Sequence, residues 1–323
     1  MSTYEFSQFV TKPENLRETI EKYGVAIIPE VLTLEECKSM VDGMWDMFEH
    51  ITKDWSTPIN RNDQKSWREF YNLYPLHSML IQHWNIGHSQ VVWDIRQNPK
   101  ILEIFAMFWK CKIEDLLVSF DGVSFNLPPE ITNKGWNRNK TWYHTDQSYT
   151  NNIFSCLQSW VTGLDVNDGD ATLSIMEGSN KYHKEFHEKF NITDKSNWYK
   201  LTHDEEAFYI EKGCSYKNIK CPKGCLVLWD SRTIHCGTEA FKNRKSINIR
   251  AIIYLCYMPR QICDKNNLKK KQKAFNELRM TSHWPCKIKL FPKTPRTYGA
   301  ELKEITMINP PKLSEIGLKL AGF

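Results

Sequence analysis

Over the first hundred residues the apolar positions recur at helical spacing, and beyond Leu116 they gather into short runs broken by Gly and Pro. Leu16, Ile20 and Tyr23 share one helical face and Gly24 follows as a stop, which predicts a short helix over 13–23. Val25-Ala26-Ile27-Ile28, closed by Pro29, reads as a buried strand. Thr33 and Glu36 then have capping-box spacing ahead of Cys37, Met40, Val41 and Met44, so a second helix is expected there. Asn98-Pro99 opens a third, carrying Ile101, Leu102, Ile104, Phe105 and Phe108. Residues 52–75 show no clear period.

The later runs are strand candidates: Leu116–Phe120, Trp142–Asp146, Cys156–Leu164, Ala171–Met176, Cys225–Trp229 and Ile247–Cys256. Turn signals at Pro128-Pro129, Asp168-Gly169-Asp170, Gly178-Ser179 and Pro222-Lys223-Gly224 separate them. Short strands of this kind bury one face against a second sheet, so the class expected is mainly β with α additions, built as a sandwich or barrel. The chain reads as one catalytic domain over 1–323, with a mainly helical N-terminal region over 1–115, a β core at 116–258 and a C-terminal appendage at 259–323.

Composition changes this picture little. Hydrophobic residues at 41%, charged residues at 25% and 12 Trp supply an ordinary globular core. A net charge of +5 is too small to indicate a nucleic-acid partner. The one basic cluster, Lys269, Lys270, Lys271 and Lys273, reads as a solvated surface. Ten Cys without a CxxC pair argue for reduced thiols. No secretory pattern and no long apolar run is seen, so a cytoplasmic protein without a membrane partner is expected.

Chemistry concentrates in His144-Thr145-Asp146. On a strand of period two the imidazole and the carboxylate leave the same face, within reach of one ion. His235 follows Cys225–Trp229 and would stand at the far end of that strand. Two His and one carboxylate cover one face of an octahedral iron(II) and leave positions for a 2-oxo acid and dioxygen. Zinc hydrolases use similar donors, but no HExxH is present. A 2-oxo diacid also needs a cation for its far carboxylate. Arg244 suits by its planar fork, and alternation would place Arg244, Ser246, Asn248 and Arg250 on one inward face, with Arg250 as the substitute.

Four segments in order carry a family resemblance: Gly24 to Pro29 with Glu35-Glu36; Trp142-Tyr143-His144-Thr145-Asp146-Gln147; Leu157 to Asp165 with Gly169 to Leu173 and Glu177-Gly178-Ser179-Asn180; and Lys223 to His235. The chain resembles the phytanoyl-CoA dioxygenase family of iron(II)/2-oxoglutarate oxygenases. The resemblance implies a double-stranded β-helix core of the jelly-roll, cupin-like kind, preceded by helices. It implies His144, Asp146 and His235 as catalytic iron ligands. Arg244 would hold 2-oxoglutarate, with Ser246, Trp160 and Thr172 lining the co-substrate pocket. It further implies dioxygen as co-substrate and ascorbate as a stimulant. The reaction would couple decarboxylation of 2-oxoglutarate, to succinate and carbon dioxide, with hydroxylation of an unactivated C–H in a small-molecule or lipid-like substrate. The alternatives are a catalytically inactive β-helix binding module and an oxygenase acting on a macromolecule.

Glu177 and Asn180 depart from the family's Pro-Gly-Ser-His turn, and nothing from about Lys265 onward matches it. Outside the motifs, His77, His83 and His88 stand as either a substrate wall or packed core. Asp121 reads as a substrate contact or a turn residue, and His283 with Trp284 as a cover over the site or surface packing.

Overall fold

The computed structural model describes residues 3–73, 80–297 and 299–323; His77 lies outside them. Its strands are β1 (Thr3–Glu5), β2 (Val25–Ile28), β3 (Leu116–Val118), β4 (Val123–Asn126), β5 (His144–Thr145), β6 (Leu157–Thr162), β7 (Thr172–Glu177), β8 (Tyr199–Lys200), β9 (Ser215–Ile219), β10 (Leu226–Asp230), β11 (His235–Thr238) and β12 (Arg250–Pro259). The helices are α1 (Leu16–Tyr23), α2 (Leu34–Ile51), α3 (Gln90–Arg96), α4 (Pro99–Trp109), α5 (Pro129–Thr132), α6 (His183–Phe190), α7 (His203–Glu211), α8 (Lys265–Asn276) and α9 (Glu315–Ala321).

Two sheets of six strands face one another. One has the order β1-β9-β7-β11-β5-β8; the other runs β2-β10-β6-β12-β3, with β4 also paired to β12. Apart from the parallel β1–β9 edge, the pairings are antiparallel. This is the jelly-roll core with helices that the sequence led us to expect.

Alternation explains why the second sheet reads as continuous apolar runs. Val25, Ile27, Trp160, Val227 and Ile252 point between the sheets, against Leu173, Ile175 and Ile219 of the first. Their neighbours Ala26, Ile28, Val161, Leu226, Leu228, Ala251 and Ile253 point outward under α2, α3 and α4, with Met44, Phe48, Val92, Trp93 and Phe105. A strand covered on both faces needs apolar residues at every position.

Local signals mostly behave as the sequence predicts. Thr33 and Glu36 form the reciprocal capping box of α2, and Asn98 caps α4 through its side chain. Gly24 ends α1 in the left-handed region at φ 79°. A Cβ there would come within 2.5 Å of Thr233 Oγ1, so only glycine lets this corner rest on the loop before β11.

Several expectations are corrected. His235 does not end the Cys225–Trp229 strand: β10 belongs to one sheet and His235 opens β11 in the other. The last long strand starts at Arg250, and 242–249 is turn and loop. The N-terminal region supplies β1 to the sheets as well as the expected β2, while α6 and α7 interrupt the β core.

Lys271, finally, is not on the surface. It is 0% exposed, on the buried face of α8 with Ala274. Its Nζ donates to the Val118 carbonyl and stands 4.0 Å above the Phe120 ring. Among the described residues no carboxylate forms an ion pair with it, and burial pushes its ammonium down to about 7. The unfolded chain therefore holds this proton more tightly than the native one, and the penalty of burying it is greatest at and below pH 7 and fades toward pH 10. Lys271→Met should raise stability at pH 7 by on the order of 1 kcal/mol. Urea unfolding of both proteins at pH 7 and pH 9.5 should show that advantage shrinking at the higher pH.

Candidate metal centre

β5 and β11 are neighbours in one sheet, and His144 and His235 are direct partners across them. Both side chains therefore leave the sheet together, toward the other sheet. Asp146 follows β5 in a bend. Its amide donates to Ser231 O at 3.1 Å and the Thr145 hydroxyl donates to the same oxygen at 3.0 Å, so the loop before β11 fixes the bend. The three donor atoms lie within 4.8 Å of one another.

The backbone decides which ring nitrogens are available. His144 Nδ1 donates to Trp142 O at 3.1 Å and His235 Nδ1 to Thr233 O at 2.8 Å. A carbonyl oxygen only accepts, so both Nδ1 atoms carry the proton and both Nε2 lone pairs are free. Those Nε2 atoms face Asp146, at 3.7 Å from Oδ1 and 3.3 Å from Oδ2 respectively. Gln158, on β6 of the opposite sheet, donates to Oδ2 at 2.8 Å and orients the carboxylate. Burial, reinforced by His235, pushes His144 down to about 4, so its ring is neutral and able to ligate at physiological pH. Burial would raise the Asp146 carboxyl, but His283, His144 and His235 together hold it well below the usual range. These donors fit a divalent cation.

A second group of polar residues lies further along the space between the sheets. Two positions after Gln158 on β6, Trp160 carries the Arg250 guanidinium over its ring at 5.6 Å. Arg250 Nε donates to Ser124 Oγ at 2.9 Å and Nη1 to Ala171 O at 3.0 Å. Arg250 is buried, yet among the described residues no carboxylate pairs with it. Trp160 Nε1 and Asn126 Nδ2 are buried donors without a partner. Each such donor costs roughly 1–3 kcal/mol if left unsatisfied. An unpaired guanidinium beside idle N–H groups is a receptor for an anion. Along β12 the partner of Gln158 is Cys256, six residues from Arg250, and the Arg250 side chain reaches back over Trp160, two positions along β6 from Gln158.

Arg244 is placed otherwise. Its Nε donates to Glu130 Oε1 at 2.7 Å, its Nη2 to Glu130 Oε2, and its Nη1 to Asp170 at 2.9 Å. Two carboxylates already neutralise it, which overturns the expectation that it offers a free fork. Ser246 is exposed on the loop, because the inward alternation expected over 244–250 needs a strand that begins only at Arg250. Thr172 is buried, but its hydroxyl is engaged with Ile219 O at 2.5 Å. Trp160 is wholly buried between the sheets, with the Arg250 guanidinium over its ring.

The remaining candidates separate clearly. His88 is fully buried, held by Arg279 O at 3.0 Å, and belongs to the core. Asp121 lies in the short connection between β3 and β4, where its Oδ1 accepts from Gly122 N and Gln82 Nε2, each at 2.7 Å. His83 is half-buried rather than part of the metal cluster. His283 does return to the site, with Nδ1 4.0 Å from Asp146 Oδ2. Gln158, Ser124 and Asn126 were not among the sequence candidates; strand alternation from Trp160 could have found Gln158, whereas Ser124 and Asn126 lie on β4, a strand the sequence pattern did not predict. Trp142, stacked on His144 at 4.7 Å, and Trp198, at 5.7 Å, were also missed as neighbours of the centre.

Comparison with known proteins agrees with this geometry. The family model described as phytanoyl-CoA dioxygenase (PhyH) matches residues 20–246. The chain belongs to the phytanoyl-CoA dioxygenase family. Its place there makes it an oxygenase-type protein of the iron and 2-oxoglutarate class. A curated relative, Ava biosynthesis cluster protein O of Aspergillus versicolor, is 25% identical over 277 residues, 83% of this chain and 85% of the relative. Among solved structures, hypothetical protein JW0805 of Escherichia coli is similar in fold at TM-score 0.58 and 13% identity, covering 98% of this chain and 85% of that one. GlcNAc inducible gene 2 of Candida albicans aligns at TM-score 0.53 and 14% identity, covering 84% and 68%.

Titration with manganese(II), followed by calorimetry, should reveal one site per chain. His144→Ala, Asp146→Ala and His235→Ala should each weaken it by about 100-fold or more, with a thermal midpoint close to that of the metal-free wild type.

Proposed function

We propose that the protein is an iron(II)- and 2-oxoglutarate-dependent dioxygenase that hydroxylates an unactivated C–H of a small organic substrate. The observation that carries this is the pairing of a two-His, one-carboxylate cluster with a buried, carboxylate-free arginine that lies over Trp160, two positions along β6 from the Gln158 that holds Asp146, inside the same jelly roll. When bound, iron and 2-oxoglutarate supply the oxidising chemistry: substrate, dioxygen and 2-oxoglutarate give hydroxylated substrate, succinate and carbon dioxide.

The chain's own residues have separable tasks. His144, Asp146 and His235 hold the metal, and the carbonyls of Trp142 and Thr233 keep the two imidazoles in the ligating tautomer. Gln158 fixes the rotation of the carboxylate. In this reading Arg250, not Arg244, binds the far carboxylate of 2-oxoglutarate, with the Trp160 and Asn126 N–H groups completing its hydrogen bonds. Ser124 holds the guanidinium in place.

A small organic substrate is supported by the rim. Trp142 and Trp198 remain 42% and 49% exposed beside His144, and the Trp142 ring is fixed by donation from Nε1 to Gly237 O at 3.0 Å. Apolar surface held rigidly next to a metal position is suited to an apolar or flat molecule. The relative's name, which assigns it to a biosynthesis cluster, accords with that substrate class.

Succinate formation from 2-oxoglutarate with iron(II) and ascorbate, without added substrate, should be slow but measurable, and His144→Ala and Asp146→Ala should abolish it. A wild type that makes no succinate and binds no 2-oxoglutarate in the presence of iron would refute the assignment. The two arginines separate in the same assay. Arg250→Gln should raise the KM for 2-oxoglutarate by roughly 10- to 100-fold, the weight of a charge-assisted contact. Arg244→Gln should leave that KM within about twofold and instead lower the melting temperature, since it strands Glu130 and Asp170.

A further inference from the structure

The family match stops at residue 246, yet the segment after it reaches the metal centre. The tail is pinned on both sides of His283. On one side Thr281 N donates to Phe120 O at 2.9 Å, and Phe120 N donates to Thr281 Oγ1 at 3.1 Å. Met280 O accepts from Phe291 N at 3.0 Å, and Ser282 N donates to Lys289 O at 2.9 Å, so the segment folds back on itself. On the other side Trp284 is 3% exposed, in a cluster with Cys156, Cys256 and Cys286. His283 is thus held between two anchors, not carried on a free end.

Its imidazole sits where the centre is least covered. The side chains of His144 and His235 are each 6% exposed, whereas Asp146 and His283 are 13% and 17% exposed. Asp146 and His283 thus form a more exposed edge of the centre than the two ligating imidazoles. His283 Nδ1 faces the carboxylate at 4.0 Å, too far for a hydrogen bond, so this nitrogen is left free to donate elsewhere. His283 is also no member of the tight donor cluster, so it does not complete the ligand set. Its other nitrogen, Nε2, is buried without a partner. A donor held at the open edge of a metal site, outside ligating range, is positioned to hydrogen-bond whatever occupies the open face.

We propose that His283 is a positioning residue of the metal centre, supplied by the tail, whose Nδ1–H hydrogen-bonds the small oxygen-bearing ligand in the open metal position, dioxygen during turnover. This rests on the metal-centre reading above. The residue acts on where that ligand lies and leaves binding of the metal and of 2-oxoglutarate unchanged.

The test uses the full chain loaded anaerobically with iron(II) and 2-oxoglutarate, and nitric oxide as the probe for dioxygen. Affinity for nitric oxide is read by optical titration, and the geometry of the adduct by its electron paramagnetic resonance spectrum. In His283→Leu, which keeps the bulk and removes both nitrogens, the affinity should fall about 5- to 30-fold, the weight of one hydrogen bond, and the spectrum should change in rhombicity. His283→Asn places an amide nitrogen where Nδ1 was and should restore both readouts. His283→Gln places it where Nε2 was and should not, which keeps the comparison open should the leucine variant fail to fold. A wild-type adduct reproduced unchanged by His283→Leu or His283→Gln overturns this proposal alone. Absence of any adduct in the wild type overturns the metal-centre reading and the proposal with it.

Discussion

The antiparallel register between β5 and β11, which sets His235 directly opposite His144, is the constraint on which the rest of the site depends. It brings two imidazoles from distant regions of the chain to a ring separation of 4.4 Å. A slip of one residue would turn His235 away from His144 and put Cys236 in its place. Several contacts defend this register. β11 is also paired with β7 over four residues, Ser231 O takes two donors from 145–146, and the corner at Gly24 accepts from Thr233 Oγ1 at 2.8 Å. The metal geometry is thus set by backbone pairing, which is stiffer than any arrangement of flexible side chains.

The space between the sheets is divided by polarity. Near β2, β7 and the middle of β10 it is a dry apolar core, with Val25, Ile27, Ile175, Val227 and Ile252 almost wholly buried. Beside it runs a row of polar groups: the Asp146 cluster, Gln158, the Trp160 indole N–H and Arg250. Burying an arginine without a carboxylate is unfavourable in the empty protein, and the unpartnered N–H groups around it add to that cost. An anion in this place would offset both. Arg244, by contrast, has its two carboxylates in the native fold and so acts as a clasp between the 242–249 loop, α5 and the turn at Asp170.

The helices and tail are more than ornament on the barrel. α2, α3 and α4 cover the outer face of the second sheet, which is why β6, β10 and β12 carry apolar residues on both faces. The tail brings α8, with Lys271 against the Val118 carbonyl, and then the pinned segment that carries His283 to Asp146. A metal centre can thus be shaped by residues outside the strands that hold the ion.

Much of this was legible in the sequence, for identifiable reasons. Capping at Thr33 and Asn98, the stop at Gly24 and the apolar runs that became β2, β6 and β10 are local signals, written within a few residues of where they act. The triad was legible because its chemistry requires particular residue types and because two of its members stand two residues apart, at and just beyond one short strand. What tertiary structure alone decided concerns contacts between distant segments. Arg244 and Arg250 are alike as sequence, and they diverge only because Glu130 and Asp170 fold against the first while the second enters the barrel beside Trp160. Lys271 is one lysine of four until α8 turns it inward, and His283 is an ordinary tail residue until Thr281 and Trp284 anchor it over Asp146. Sequence determines which groups are available and how each short segment bends; charge pairing and burial depend on which segments meet, and that is settled only when the chain packs.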